Sequence, residues 1–193
     1  SHVIRGNYIG LDPDGSTGGG NTDVGLAIIS GSGNTIGGTA AQAGHVISRN
    51  YEGIEINTSN NVVQGNWFGT NSAGDVLGLG YNGVELTDGA SYNLIGGANA
   101  GEGNVIAYAQ DDGIFVYDNG GHSTANAFLG NSIHSNDQEA NGDGIGIDLE
   151  EILRGEAPLV EAAAADEQAQ RLRVEHGAEV TAGSRGPAPG VQI

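Results

Sequence analysis

Gly53-Ile-Glu-Ile-Asn-Thr-Ser-Asn-Asn-Val-Val-Gln-Gly-Asn-Trp-Phe68 contains three short pieces, and each of them recurs along the chain. The first, Gly-apolar-x-apolar, returns as Gly25-Leu-Ala-Ile28, Gly83-Val-Glu-Leu86, Gly113-Ile-Phe-Val116 and Gly144-Ile-Gly-Ile147, at a spacing of about 30 residues. The second, Asn61-Val-Val-Gln-Gly65, has relatives in Asn34-Thr-Ile-Gly-Gly38, Asn93-Leu-Ile-Gly-Gly97 and Asn126-Ala-Phe-Leu-Gly130. The third, Gly65-Asn-Trp-Phe68, returns as Gly6-Asn-Tyr-Ile9, Gly44-His-Val-Ile47, Gly103-Asn-Val-Ile106 and Gly130-Asn-Ser-Ile133. Alternate repeats resemble each other best, so a super-repeat of about 60 residues overlies the shorter period.

Apolar pieces of two to four residues are too short for helices, and their alternation is that of strands. Three such strands cannot bury their apolar sides alone. Stacking successive repeats pairs each strand with its equivalent about 4.8 Å away and encloses a continuous core, which is a parallel β-helix. A coil of this kind turns sharply three times, and Gly or Asn enters the left-handed backbone region at low cost. Asn7, Asn66, Asn104 and Asn131, with His45 as the exception, fall at equivalent places and are expected to stack into an amide ladder.

The chain has 193 residues, 36 of them glycine, and no Cys, which excludes disulfides, thiolate metal sites and Cys nucleophiles. Twenty-four acidic residues against six basic ones, every one of them Arg, give a net charge of −18 and argue against nucleic acid as a partner. No apolar run is long enough to span a membrane.

From Asn34-Thr-Ile-Gly-Gly through Gly44-His-Val-Ile-Ser-Arg-Asn50, Gly53-Ile-Glu-Ile56 and Gly65-Asn-Trp-Phe-Gly-Thr-Asn71, the sequence resembles the right-handed parallel β-helix repeats of large secreted and surface-attached bacterial proteins. The resemblance covers residues 3 to about 149 and implies an all-β, right-handed β-helix of about five coils, of the pectate-lyase-like superfold. It also implies export, and a chain that is part of a longer protein. Fold alone does not decide activity.

All 18 asparagines fall before residue 142, and the period stops near Glu150, so residues 1–149 are expected to be repeats and 150–193 a non-repeat tail. Good helix formers behind Pro158 and ahead of Gly177 predict a helix over about 158–176, followed by a flexible end over 177–193. The tail reads as a cap on the open β-helix end, as a linker, or as out-of-frame sequence, and the composition leaves all three open.

The x residues of the first strand face outward. Stacked, they give a column Ala27, Glu55, Glu85, Phe115, Gly146, and the residues before each glycine give Val24, Glu52, Asn82, Asp112, Asp143 beside it. Glu52, Glu55, Glu85 and Asp112 are the candidate stripe for a ligand or cation, with Ca²⁺ the cation suited to carboxylate oxygens. Tyr51, Tyr81, Phe115 and Tyr117 are candidate stacking groups for a polysaccharide or cell-surface glycan, and a solvated acidic face is the plainer reading. Asp12, Asp14 and Asp23 form a second candidate cation site in a loop, which is also readable as a turn.

No nucleophile elbow, phosphate loop or His metal motif is present, so no catalytic residue is assigned. The expected function is a structural, adhesive or glycan-contacting module. The alternative is a polysaccharide hydrolase or epimerase, polygalacturonase-like or epimerase-like, using Glu55 and Glu85 or Asp111 and Asp112 as acid and base. A lyase is disfavoured because only Arg5 and Arg49 within the repeats could serve as base, and a polyanion would meet an acidic surface.

Overall fold

The computed structural model describes residues 1–117, 121–138 and 144–150 and, beyond them, three short strands within 159–181. The first coil carries β1 (Val3–Ile4), β2 (Tyr8–Ile9) and β3 (Val24–Ile28), and the second β4 (Thr35–Gly37), β5 (Val46–Ile47) and β6 (Glu52–Ile56). The third has β7 (Val62–Gln64), β8 (Trp67–Phe68) and β9 (Val84–Leu86); the fourth has β10 (Leu94–Gly96), β11 (Val105–Ala107) and β12 (Ile114–Tyr117). The fifth has β13 (Ala127–Leu129), β14 (Ser132–His134) and β15 (Ile147–Glu150), and β16 (Leu159–Glu161), β17 (Leu172–Val174) and β18 (Val180–Thr181) follow. Every pairing is parallel and joins a strand to its counterpart in a neighbouring coil, so three sheets form the walls of a β-solenoid.

One inward residue per strand explains the short apolar pieces. Ile36, Val63, Ile95 and Phe128 fill the first wall, and Ile47, Phe68, Ile106 and Ile133 the second. The third wall contributes two rows, Ile54, Val84, Ile114, Ile147 and Ile56, Leu86, Val116, Leu149. These side chains make one core running along the axis, and no other element has to cover it.

The helix expected over 158–176 is not what its described residues form. Leu159–Glu161 pairs with β13 and Leu172–Val174 with β15, and Val180–Thr181, in the end expected to be flexible, pairs with β16. The physical reason is the open last coil, whose unpaired N–H and C=O groups template further strands more strongly than Ala-rich propensity favours a helix. The remainder of 150–193 lies outside the described residues.

The super-repeat comes from the corners. Along the Asn corner between the first and second walls, rungs lie 38, 21, 38 and 27 residues apart. Coils one and three put their long loop between the second and third walls, whereas coils two and four put theirs between the first and second.

The amide ladder forms at that corner. The backbone N–H groups of His45, Asn66 and Asn104 donate to the side-chain oxygens of Asn66, Asn104 and Asn131 at 2.9–3.0 Å. Each Asn amide returns a hydrogen bond to the preceding coil, Asn66 to the carbonyl of Ile36, Asn104 to that of Val63 and Asn131 to that of Ile95. Two further ladders appear, Asn34, Asn61, Asn93 and Asn126 at one corner, and Asn21 with Asn50 and Ala109 with Asn136 at the other. A side chain at Gly37, where φ is +83°, would strike the Asn66 amide, so glycine there is a condition for the rung.

His45 reproduces both bonds of an Asn. Its Nδ1 accepts from the N–H of Asn7 at 3.0 Å, and its Nε2 lies 3.0 Å from the carbonyl of Ile4, which assigns the neutral Nε2–H tautomer. Burial holds its pKa below the usual imidazole value. The stability it contributes is therefore present above pH ~6.5 and is lost as pH falls through the folded value. His45→Asn should match wild type in thermal midpoint at pH 7.5 and exceed it at pH 5; parallel pH curves for the two proteins would show that His45 stays solvated.

Candidate functional site

The third wall carries the outward row Ala27, Glu55, Glu85, Phe115 and Asp148. Its last member differs from the expectation. Gly146 does not face Phe115, and Ile145 rather than Asp143 stands opposite Asp112. Gly144-Ile-Gly-Ile-Asp-Leu149 matches the repeat in two frames that differ by two residues. The structure uses Gly146-Ile-Asp-Leu149, which places Leu149 over Val116 in the core. Asp143 lies outside the described residues.

Glu52, Glu55 and Glu85 come together. Glu55 and Glu85 are direct partners across β6 and β9, and each carboxylate accepts an amide N–H, from Asn57 at 2.9 Å and from Asn82 at 3.1 Å. Glu52 is 7 % exposed, and its Oε1 is buried with no N–H or O–H donor. Burial first, then the Glu85 charge and a hydrogen bond with the Glu85 carboxylate, raise the Glu52 pKa to about 9. These causes favour the protonated, neutral form of Glu52 at pH 7. Asp112 acts on the backbone instead. Its N–H donates to Asn82 Oδ1 at 3.1 Å and its Oδ1 accepts the N–H of Ile145 at 2.7 Å, which ties three coils together.

The structure divides the expected loop cation site. Asp12 accepts from the Thr17 hydroxyl at 2.9 Å and Asp14 from the N–H of Ser16 at 3.0 Å, both within a turn, and that bond lowers the Asp14 pKa. Asp23 instead adds its charge to those that raise Glu52. Among the described residues no three acidic or imidazole groups converge closely enough to hold one metal ion.

The aromatic residues pair. Tyr51 and Tyr81 are stacked at 5.5 Å between centroids and 13° between planes, and Phe115 and Tyr117 at 5.9 Å and 19°. Partial burial first, then the charges of Asp111 and Glu85, push the Tyr81 hydroxyl up to about 12.

One feature of the site is not legible from the motif columns. The long loops of coils one and three, residues 10–23 and 69–83, rise at the same corner, while coil two crosses it by the short segment 48–51. A groove of about 550 Å³ results, with Arg49, Asn50 and Tyr51 as its floor. Its walls are two strand spacings apart, about 10 Å. Both walls are hydrogen-bonded to the floor, Arg49 N–H to the carbonyl of Gly78 at 2.6 Å, Gly80 N–H to that of Asn50 at 3.0 Å, and Tyr51 N–H to that of Asn21 at 3.0 Å. Gly20, with φ +69°, lies against the Arg49 backbone so closely that a side chain there would collide with it. The alternation of loop lengths, together with the single Arg at this corner, is the sequence signal that points here.

Among the described residues no helix is long and apolar enough to cross a membrane. No family model, no curated protein and no solved structure matches the chain.

Proposed function

We propose that the chain is a saccharide-contacting structural module of a secreted or cell-surface β-helix protein, with the groove at the corner of coils one to three as its contact site. The observation that carries this reading is Tyr51. It is half exposed at the groove floor and backed by Tyr81, so it offers a fixed aromatic face. Aromatic faces bind the apolar CH faces of sugar rings at little entropic cost when they are held in advance. Gln110, exposed at the rim, and the backbone of Gly18 supply polar partners for hydroxyls.

The hydrolase or epimerase alternative, and kinship with the pectate-lyase-like enzymes, receive less support. The Glu55 and Glu85 carboxylates of that alternative each already accept an Asn amide hydrogen bond, from Asn57 and Asn82. Asp112 is committed to the backbone of the next coil.

Saturation-transfer NMR with a panel of oligosaccharides should show contacts to the full-length chain. Tyr51→Ala should weaken binding at least tenfold with an unchanged thermal midpoint, and Tyr51→Phe should retain it. Equal binding by wild type and Tyr51→Ala would refute the assignment of the groove.

A further inference from the structure

We infer that the groove selects a saccharide whose terminal unit carries a single carboxylate, with that carboxylate on the Arg49 guanidinium and the adjoining ring on Tyr51. This deepens the saccharide-contacting reading and rests on it.

Charge and position carry the inference. The chain carries 24 acidic side chains against six arginines, and residues 1–149 hold only two of the six, Arg5 and Arg49. Arg49 is exposed at the groove floor, and among the described residues its guanidinium has neither an ion-pair partner nor a hydrogen-bond acceptor. In so acidic a protein a fork of N–H donors has many carboxylates to pair with, yet among the described residues this one pairs with none. The backbone bond to Gly78 and the close approach of Gly20 fix where the side chain starts. A guanidinium matches a carboxylate by two parallel hydrogen bonds, a geometry an ammonium cannot offer. Tyr51 follows Asn50 in the same floor, so an anionic group on Arg49 and a ring on Tyr51 fit adjoining parts of one ligand.

The surroundings limit the charge to one. Asp12, Asp14 and Asp23 line the loop on one side, and Asp75 lies in the loop on the other. Beyond Arg49 a second or third carboxylate would meet negative charge within about a Debye length. The chemistry fits a neutral chain ending in one acidic unit and disfavours a polyanion.

Calorimetric titration of the full-length chain with three probes tests this: lactose, sialyllactose and tri-galacturonate. Sialyllactose should bind at least tenfold more tightly than lactose and more tightly than tri-galacturonate. That preference should vanish in Arg49→Gln and shrink in Arg49→Lys, both with wild-type thermal midpoints. Equal affinity for lactose and sialyllactose would overturn the inference and leave the saccharide reading standing, as would a preference that survives in Arg49→Gln. Tightest binding of tri-galacturonate would overturn the single-charge selection. Absence of binding by all three, at millimolar concentration, would overturn both readings.

Discussion

Asn104→Ala should cost about 3 kcal/mol of stability. Asn104 is 1 % exposed and stands mid-ladder. Its side-chain oxygen accepts two bonds from Asn66, from the backbone N–H and from Nδ2, each at 3.0 Å. Its own Nδ2 donates to the carbonyl of Val63 at 2.8 Å and to Asn131 Oδ1 at 2.9 Å. Truncation thus strands a buried N–H and an amide on Asn66 and removes donors from two buried oxygens, each loss carrying a desolvation cost. For a domain of this size the midpoint should fall by about 10 °C in a thermal scan of the full-length chain. Asn99→Ala is the control. Asn99 is exposed and bonds only to the exposed side of its own loop through Glu102, so its removal should stay within ~0.5 kcal/mol. If the two variants lose equal stability, the ladder amides are ordinary turn residues.

The ladder shows what the sequence reveals and what it hides. Fold class, coil count and inward rows follow from period two within strands and period 30 between them, because a solenoid imposes the same solution on every coil. The Asn7 to Asn131 ladder was legible for that reason, including His45, whose ring presents an acceptor and a donor where an amide does. The ladder of Asn34, Asn61, Asn93 and Asn126 shares that signal, an Asn at the head of each second piece, whereas Asn21, Asn50 and Asn136 precede Thr-Asp, Tyr-Glu and Asp-Gln and share no such motif. Registration failed where the motif repeats within itself, at Gly144-Ile-Gly-Ile-Asp-Leu149, since a shift of two residues leaves inward and outward faces unchanged. The acidic cluster was legible as a column, since Glu55 and Glu85 are in register. The burial of Glu52 departs from the expected outward stripe because Glu52 opens β6 two residues before Ile54 and so shares the inward parity of Ile54 and Ile56. The groove was least legible of all, because it depends on which corner each long loop occupies, and that is a property of coils two apart rather than of any motif.

Glu52→Gln should stabilise the protein at alkaline pH, by roughly 2 kcal/mol at pH 9, a figure discounted for the water that reaches the cluster. The sign follows from the raised pKa. The folded state holds a proton on Glu52 up to about pH 9, whereas the unfolded chain releases it near 4.5. The stability contributed by that proton is complete below pH ~4.5 and is lost as pH rises toward 9, because the unfolded chain has released its proton there and folding must take one up, since a third negative charge beside Glu55 and Glu85 is disfavoured in a buried position. Gln keeps the shape and can donate its amide to the Glu85 carboxylate, so the variant carries no such slope. Midpoints measured from pH 4 to 9.5 should coincide at the acid end and diverge steadily above pH ~5; parallel curves across the range would mean that Glu52 is ionised and solvated like any surface acid. Calcium distinguishes a proton from a cation as the species that neutralises the cluster. With a proton already between Glu52 and Glu85, about 1 mM Ca²⁺ should leave the wild-type midpoint at pH 6 unmoved. A calcium-dependent rise that disappears in Glu52→Gln would instead assign the three glutamates to an ion, with the buried, donor-free Oε1 of Glu52 as its innermost ligand.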